Sequence, residues 1–303
     1  MSLAQPALNR SDLNTTDLGL YAATVFAWGF SWIAMKGQIS SVSPEVSVFW
    51  RFVVAAAMMM VWVRAKGYPL NFPAKDHIRF AGLGALLFST NFTLFYYGAA
   101  YLPSGLLAVV FSTASVFNIF LGLVLFRQRP SLLALAAGLL GFSGIALMFW
   151  PNMAGAQINT GVAIGLGFCI CGTLSFCLGN MLSADTQRRG IGVMPATAWG
   201  MVYGMIFLGL FAAFRGRSFA VEWTFPYLGS LFYLALVASV IAFASYLTLL
   251  GRIGSARAGY ATVLFPIVAL AVSTIFEGYQ WTPLAITGLG CVLAGNIMML
   301  RAR

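Results

Sequence analysis

Ten apolar stretches, each about as long as a membrane-crossing helix, take up most of the 303 residues of this chain. A helix needs about 20 predominantly apolar residues to cross the hydrocarbon core of a bilayer. The chain is therefore predicted to fold as an all-α integral membrane protein with ten transmembrane helices. The predicted spans are residues 18–38, 46–65, 78–98, 103–126, 131–150, 159–182, 193–214, 227–250, 256–276 and 282–300.

The composition also indicates a membrane protein and argues against an ordinary soluble domain. Charged residues make up only 8% of the chain and hydrophobic residues 60%, with a mean hydropathy of +0.89; soluble domains carry about 25% charged residues. A net charge of +10 can indicate a nucleic-acid partner, but in a membrane chain it reflects basic cytoplasmic loops, so no nucleic acid is expected. Four cysteines inside apolar runs are interpreted as packing residues, and no metal or cofactor is expected. They are Cys169, Cys171, Cys177 and Cys291.

The basic residues predict the orientation of the chain in the membrane. With the N-terminus in the cytoplasm, 13 of the 17 lysines and arginines fall on the cytoplasmic side, in keeping with the positive-inside rule. The other four, Lys36, Arg51, Arg215 and Arg217, fall on or toward the outer side. We therefore expect a multi-pass protein of the inner (plasma) membrane with both termini in the cytoplasm and no cleaved signal peptide.

The second half of the chain repeats the pattern of the first. Residues 101–150 match residues 252–300 when Ser104 is aligned with Ser255, and each segment ends in a charged turn and a glycine-bearing helix. Because each repeat holds five helices, an odd number, the second is expected to enter the membrane from the opposite face. Two inverted five-helix repeats around a central cavity are the architecture of alternating-access transporters. The predicted boundaries are 1–17 for a cytoplasmic tail, 18–150 for the first repeat, 151–158 for an external linker, and 159–303 for the second repeat with a short cytoplasmic C-terminal tail.

Two prolines are candidate gating residues. Pro266 lies inside the span 256–276, where it removes a backbone hydrogen bond and is expected to bend the helix near residue 262. A bent helix beside a cavity is a natural gate, and a static kink used only for packing is the alternative interpretation. Pro103 begins the fourth span. Glu277, at the outer end of the same span as Pro266, is expected to make a helix-end or loop contact.

Polar and aromatic side chains at mid-span depth are the candidates for a substrate site between the two halves. Polar groups are costly in hydrocarbon unless they find a partner or a wet cavity. The alternative interpretation is that aromatic pairs at helical spacing, and serines, serve packing. The predicted substrate-binding residues are Trp28, Trp32, Asn91, Tyr96, Ser112, Asn118, Phe176, Asn180, Trp199, Tyr203, Tyr246 and Tyr260.

The charged residues indicate how polar the predicted cavity is. No aspartate or glutamate falls at mid-membrane depth, where a proton-coupled carrier usually keeps one as a relay. The cavity is therefore expected to be neutral and aromatic, which suits an amphipathic, partly aromatic solute and leaves uncoupled export open. Arg51 and Lys36 could attract a carboxylate substrate near the outer mouth, but anchoring at the membrane interface is the favoured interpretation for both. Pairing of Arg51 with Glu45 is a further alternative.

Four segments carry a resemblance to a known family: FAWGFSWIAMK (26–36), WRFVVAAAMM (50–59), NFTLFYYGAAYLPSGLLAVVFS (91–112) and ARAGYATVLFPIVALAVSTIFEG (256–278). In these segments the chain resembles the drug/metabolite transporter superfamily, in its ten-helix EamA-type branch. The resemblance implies a cavity built by the first four helices and the sixth to ninth, with the fifth and tenth peripheral. It also implies export of small metabolites, including amino acids and, in some members, aromatic amino acids. The chain departs from the family at FRQR (126–129), where a glutamate often ends the fourth helix.

The expected function is that of a secondary, non-ATP transporter that exports small amphipathic metabolites by alternating access. A carrier of drug-like cations or nucleobases and a lipid flippase are the alternatives. An enzyme is not expected, because the single histidine, His77, is interpreted as a solvated residue of a cytoplasmic loop and no catalytic cluster is visible. The expected partners are a small-molecule substrate and the lipid bilayer. The glycine-rich fifth and tenth helices leave both a monomer and a weak homodimer open.

Overall fold

The computed structural model describes residues 14–39, 42–126, 131–153, 160–246, 248–249, 252 and 261–301. Regular secondary structure in these residues is entirely helical, and the predicted ten-helix, all-α membrane fold is confirmed. Nine of the helices are long and apolar enough to cross a membrane, and α9 is shorter, with 17 residues. The helices are α1 (Thr15–Lys36), α2 (Pro44–Ala65), α3 (Ala74–Ala99), α4 (Ser104–Leu125), α5 (Leu132–Met153), α6 (Thr160–Arg188), α7 (Val193–Phe214), α8 (Phe225–Tyr246), α9 (Ala261–Glu277) and α10 (Pro283–Arg301).

Local sequence signals set the ends of several helices. The side chain of Asn14 accepts a hydrogen bond from the backbone N–H of Asp17, and the Asp17 carboxylate accepts one from the N–H of Asn14, which closes the start of α1. Four helices end at a glycine with positive φ, a conformation that glycine adopts without a steric penalty. These glycines are Gly67, Gly190, Gly216 and Gly278, with φ values of 72°, 84°, 62° and 65°.

Ion pairs between helices mark the two ends of the bundle. Lys36 at the end of α1 lies beside Glu277 at the end of α9, and we call this side of the molecule the Lys36 end. Arg79 of α3 pairs with Asp185 near the end of α6 on the opposite side, the Arg79 end. Successive helices run in alternating directions between these ends. The positive-inside rule predicts that the Arg79 end is cytoplasmic.

The third helix of each predicted half contains a π-helical segment. The segments are Leu86–Thr90 in α3 and Tyr233–Ile241 in α8. Ser104 and Ser255 are 151 residues apart, and the same shift carries Leu86–Thr90 onto residues 237–241, inside the second segment. The same departure from α-helical geometry therefore occurs at corresponding positions of the two halves. Such segments are rare and frequently occur at functional sites.

Close backbone packing through glycines joins α5 to α10. A Cβ atom built on Gly288 would lie 2.5 Å from the carbonyl oxygen of Gly144, and one built on Gly144 would lie 2.5 Å from the carbonyl oxygen of Gly288. Seven residues further along α10, Gly295 approaches the carbonyl oxygen of Ala137 in the same way. Small residues that let two backbones approach are a common means of joining membrane helices. The glycines of these two helices thus pack within the chain.

We expect Gly288→Ala to destabilise the protein, because the added methyl group must push α5 away from α10. Overpacking of this kind costs about 1–3 kcal/mol of unfolding free energy. Gly290 is the matched control on the same helix, since a Cβ atom there would meet nothing within 4 Å. Thermal unfolding of both purified variants in detergent measures the effect. Equal stability of the Gly288→Ala and Gly290→Ala proteins would contradict this packing.

Candidate substrate site

Six aromatic side chains from five helices meet inside the bundle. We call them the aromatic cluster: Trp28 and Trp32 of α1, Phe95 of α3, Phe111 of α4, Phe176 of α6 and Phe265 of α9. Their neighbouring ring centroids lie 4.7 to 6.5 Å apart, in the range favourable for aromatic pairs. Three of these helices belong to the first predicted half and two to the second, so the cluster lies where the halves meet.

Helix α8 holds Trp28 in place within this cluster. The indole N–H of Trp28 donates a hydrogen bond to the carbonyl oxygen of Ala238, at 3.2 Å, within the π-helical segment. The hydroxyl of Tyr233 donates to the carbonyl oxygen of Ala27, at 3.0 Å, one residue before Trp28. The ring of Tyr246 lies 5.2 Å from that of Trp28. The polar edge of the indole is thereby paired, and its apolar face remains for the aromatic cluster.

Four predicted substrate-binding residues are thus brought together in or against the cluster. They are Trp28, Trp32, Phe176 and Tyr246. Phe111 and Phe265 were not among the predicted residues, although the sequence places Phe111 next to Ser112 and Phe265 next to Pro266. The cluster therefore combines predicted residues with phenylalanines that the sequence prediction did not include.

Two predicted asparagines carry buried oxygens without a partner among the described residues. Asn91 follows the π-helical segment of α3 and is 3% exposed; its amide nitrogen donates to the carbonyl oxygen of Leu87, at 3.4 Å. The Oδ1 atoms of Asn91 and of Asn118 have no hydrogen-bond partner in the described part of the chain. Buried acceptors of this kind are rare unless a ligand or water serves them. Asn180 is half-buried on α6, four residues beyond Phe176.

Other predicted residues are engaged in contacts between helices. The hydroxyl of Ser112 donates to the carbonyl oxygen of Val109, at 2.7 Å, and accepts from the amide of Asn296 on α10, at 3.2 Å. Tyr96 is completely buried, and its hydroxyl donates to the side-chain oxygen of Gln38. Tyr260 lies outside the described residues.

The two predicted gating prolines lie at different positions within their helices. Pro103 is the residue that caps the start of α4, as expected. Pro266 is buried in the second turn of α9, next to Phe265 of the aromatic cluster. The bend that it is expected to cause near residue 262 stays a prediction.

Trp199 and Tyr203 belong to a second aromatic group at the Arg79 end, around His77. The hydroxyl of Tyr203 lies 3.0 Å from Nδ1 of His77, and the rings of Trp199 and His77 are 4.6 Å apart. The indole N–H of Trp199 donates to the carbonyl oxygen of Leu70, at 3.1 Å. The interpretation of His77 as a solvated loop residue is therefore wrong. Helix α3 begins at Ala74, before the predicted span, and the first turn presents the half-buried imidazole to α7.

Arg51 is buried inside the bundle, which corrects the expectation that it anchors at the interface. Its side chain is only 5% exposed, and its Nη2 and Nε atoms lie 3.1 and 3.4 Å from the hydroxyl oxygen of Ser239. The guanidinium carbon lies 4.4 Å from the centre of the Phe92 ring, as in a cation–π contact. Arg51 is seven residues into α2, which corresponds to a depth of about 10 Å along the helix. An arginine near the centre of a membrane helix costs about 2.5–3.5 kcal/mol.

Glu45 does not pair with Arg51 but binds the arginines after α7. The Glu45 carboxylate is 1% exposed and lies 3.2 Å from Nε of Arg217 and 3.5 Å from Nη1 of Arg215. It also accepts a hydrogen bond from the hydroxyl of Tyr97, at 3.0 Å. Arg215 and Arg217, two of the four basic residues that the sequence places on or toward the outer side, are thus the partners of Glu45.

A group of polar contacts closes the Lys36 end around Glu277, and we call it the Lys36–Glu277 clasp. Oε2 of Glu277 accepts hydrogen bonds from the backbone N–H of Ser104, at 2.9 Å, and from its hydroxyl. Nζ of Lys36 lies 3.8 Å from Oε1 of Glu277 and donates to the carbonyl oxygen of Ala99. A carboxylate at the start of α4 also interacts favourably with that helix's dipole. The predicted helix-end contact of Glu277 is confirmed, and Lys36 lies in this contact instead of anchoring alone.

In the described part of the chain, the apolar helices and the charged pairs at their two ends define a multi-pass membrane protein, with the aromatic cluster between its predicted halves. The EamA-like transporter family matches residues 17–150 and, a second time, residues 159–301. The chain belongs to this family. Its class is therefore that of transporters and not of enzymes.

Two relatives whose printed names describe a transporter or an efflux pump match most of the chain. It is 26% identical over 276 residues to "Uncharacterized transporter YvbV" of Bacillus subtilis (strain 168), covering 89% of this chain and 87% of that protein. It is 23% identical over 291 residues to the "Probable amino-acid metabolite efflux pump" of Escherichia coli (strain K12), covering 92% and 94%. A solved crystal structure superposes with a TM-score of 0.66 at 11% identity, covering 94% of this chain and 96% of the other, which supports the fold alone.

We expect a double-mutant cycle to reveal coupling between Lys36 and Glu277. Lys36→Met and Glu277→Gln should each lower the free energy of unfolding, and the double variant should lose about 0.5–1 kcal/mol less than the sum, because either change alone already breaks the pair. Chemical unfolding of the four proteins in mixed micelles measures the coupling. Lys66→Met combined with Glu277→Gln is the control. Lys66 is exposed after α2, at the Arg79 end, so the changes in unfolding free energy of these two substitutions should simply add. Strictly additive effects of Lys36→Met and Glu277→Gln would show that the Lys36–Glu277 clasp does not stabilise the protein.

Proposed function

We propose that this protein is a secondary transporter that exports small amphipathic metabolites, with amino acids, including aromatic ones, as its substrates. The observation that carries this proposal is the aromatic cluster, which gathers side chains from both predicted halves at their junction. Transporter sites lie near the midplane between repeats, and pockets for amphipathic ligands are mostly apolar with a few polar groups. The printed name of the Escherichia coli relative, an amino-acid metabolite efflux pump, agrees with this choice.

We also propose that transport proceeds by alternating access between two inverted halves, residues 18–150 and 159–303. The double match of the family, to residues 17–150 and 159–301, supports this division. The paired π-helical segments in α3 and α8 support it as well. Because α1 ends and α6 begins at the Lys36 end, the first helices of the two halves run in opposite directions. Rocking of one half against the other would expose the aromatic cluster to either side in turn.

The Lys36–Glu277 clasp is proposed as the closing contact at the outer side. It joins the ends of α1 and α9 to the start of α4, three helices that also contribute to the aromatic cluster. Helix α9 carries Glu277 at its end and Pro266 near its beginning. A change of the bend at Pro266 would move Glu277 relative to Ser104, and the clasp would open. We place the protein in the inner membrane of the cell, with the Arg79 end facing the cytoplasm.

Transport is proposed to proceed without a carboxylate that relays protons in the middle of the membrane. Asp17, Glu45, Asp185 and Glu277 lie at the ends of the bundle in ion pairs with basic residues. No acidic residue of the sequence falls at mid-span depth. Export without proton coupling is therefore the proposed mode.

Purified protein in liposomes loaded with labelled L-phenylalanine or L-serine is expected to release phenylalanine faster, with or without a proton gradient. The aromatic cluster provides contacts for the phenyl ring that serine cannot use. Liposomes without protein are the control. Equal release of both amino acids would overturn the aromatic preference, and release of neither would overturn the proposed substrate class. A rate that depends on the proton gradient would overturn the uncoupled mode.

Replacing Trp32 by leucine, which preserves much of the volume, is expected to raise the half-saturation concentration for phenylalanine about 3- to 10-fold. This is the loss expected when one aromatic contact of about 0.5–1.5 kcal/mol is removed. Trp150→Leu serves as the control, because Trp150 is 59% exposed on α5. Concentration-dependent efflux measures the change. A larger effect of Trp199→Leu than of Trp32→Leu would place the substrate in the His77 group instead.

A further inference from the structure

A buried group of hydrogen-bond donors lies beside the aromatic cluster, around Arg51. The guanidinium of Arg51 contacts Ser239 and faces the hydroxyl of Tyr96. That hydroxyl donates to Oε1 of Gln38, a residue that is 0% exposed. The amide nitrogen of Gln38 has no hydrogen-bond partner among the described residues. Two buried side chains with N–H groups therefore lie near one tyrosine hydroxyl. A buried donor without a partner, such as the Gln38 amide, is unusual in a folded protein.

Among the residues that the structure describes, no carboxylate lies beside the positive charge of Arg51. Buried charges are normally paired, because a charge removed from water is unfavourable without a partner. The nearest acidic residue in sequence, Glu45, is held by Arg215 and Arg217. Glu277 is held by Lys36 and Ser104. The remaining acidic residues of the described chain lie at the two ends of the bundle, with Glu222 in the loop after α7 and Asp17, Asp76 and Asp185 within the end turns of α1, α3 and α6.

Two helices connect Arg51 directly with the aromatic cluster. On α3, the ring of Phe92 covers the guanidinium, and Phe95, one turn further on the same face, belongs to the cluster. On α8, Ser239 contacts Arg51, and the carbonyl oxygen of the preceding residue, Ala238, accepts the indole N–H of Trp28. The same two helices therefore place the guanidinium of Arg51 and the aromatic cluster one turn apart on α3 and one residue apart on α8.

We propose that Arg51 binds the carboxylate of the transported substrate while the apolar part of that substrate packs against the aromatic cluster. The inference deepens the proposed function and rests on it. It commits the carrier to amphipathic carboxylates, such as aromatic amino acids and aryl-substituted acids, over organic cations. Arginine suits this role because its planar guanidinium donates two parallel hydrogen bonds to a carboxylate. The amide nitrogen of Gln38 supplies a further donor near the same site.

Binding is tested first on the unaltered protein with three probes of similar size. They are L-phenylalanine, 3-phenylpropionate, which keeps the carboxylate but lacks the amine, and L-phenylalaninol, which keeps the amine but lacks the carboxylate. Each probe is titrated against the thermal unfolding midpoint of the purified protein in detergent, since a ligand that binds the folded state raises that midpoint. We expect the first two to stabilise the protein at concentrations about 10- to 100-fold lower than phenylalaninol. Equal stabilisation by all three would overturn the proposal.

The variant Arg51→Gln then separates recognition of the carboxylate from a structural role of the arginine. We expect affinity for phenylalanine and 3-phenylpropionate to fall about 10- to 100-fold, with phenylalaninol changed less than about 3-fold. Arg51→Lys should retain part of the affinity, because it keeps the charge but loses the two parallel donors. Arg64→Gln, an exposed arginine at the far end of the same helix, is the control and should change none of the three.

The outcomes distinguish this inference from the proposed function. A parallel loss of affinity for all three probes in Arg51→Gln would assign Arg51 to packing alone, whatever the protein transports. If Arg51→Gln does not fold, the comparison of the three probes on the unaltered protein still decides the matter. Carboxylate-dependent binding without any efflux of phenylalanine would uphold the Arg51 site and overturn the proposed export of amino acids. Efflux of phenylalanine together with equal affinities for phenylalanine and phenylalaninol would uphold the proposed export of amino acids and overturn the Arg51 site.

Discussion

The hydrocarbon core of a bilayer offers no water to polar groups, so each one inside the bundle needs a partner from the chain itself. Much of the structure satisfies this constraint locally. The hydroxyls of Thr24, Thr173 and Thr274 donate to the carbonyl oxygen four residues earlier in their own helices. Charged residues collect at the two ends, where Asp185 and Glu277 have basic partners. A few buried polar groups of the described residues escape this pattern, among them the amide nitrogen of Gln38 and the side-chain oxygens of Asn91 and Asn118.

The fold could be predicted because it depends on the summed hydrophobicity of each segment and not on any single residue. About 20 apolar residues predict a span wherever their side chains point. The site depends on which face of a helix meets which neighbour, and spacing within one helix carries no such information. Trp28 with Trp32 and Trp199 with Tyr203 share the same four-residue spacing, yet one pair lies in the aromatic cluster and the other beside His77. With 26 phenylalanines in the chain, Phe111 and Phe265 carried no distinguishing signal.

The π-helical segments limit prediction in a further way, since a segment with a wider turn rotates the residues that follow it relative to those before it. Asn91 and Phe95 follow such a segment in α3, and Tyr246 follows one in α8. Helical periodicity read through these segments therefore assigns the wrong neighbours. Arg51 shows the same limit for a charge: its position in the sequence gives its depth, but only the surrounding Phe92 and Ser239 show that it points into the protein.

A positive charge about 10 Å below the end of α2 has an electrical consequence. The potential across a cell membrane falls mainly within the hydrocarbon core, and an elementary charge that crosses all of it gains or loses about 2.3 kcal/mol per 100 mV. A conformational change that shifts Arg51 along the membrane normal therefore does electrical work in proportion to the distance moved. A monoanionic ligand on Arg51 would cancel that charge. With such a ligand, the membrane voltage would act on the return of the empty carrier and hardly at all on the movement of the loaded one, whereas a zwitterionic amino acid has no net charge and would leave both movements sensitive to the voltage.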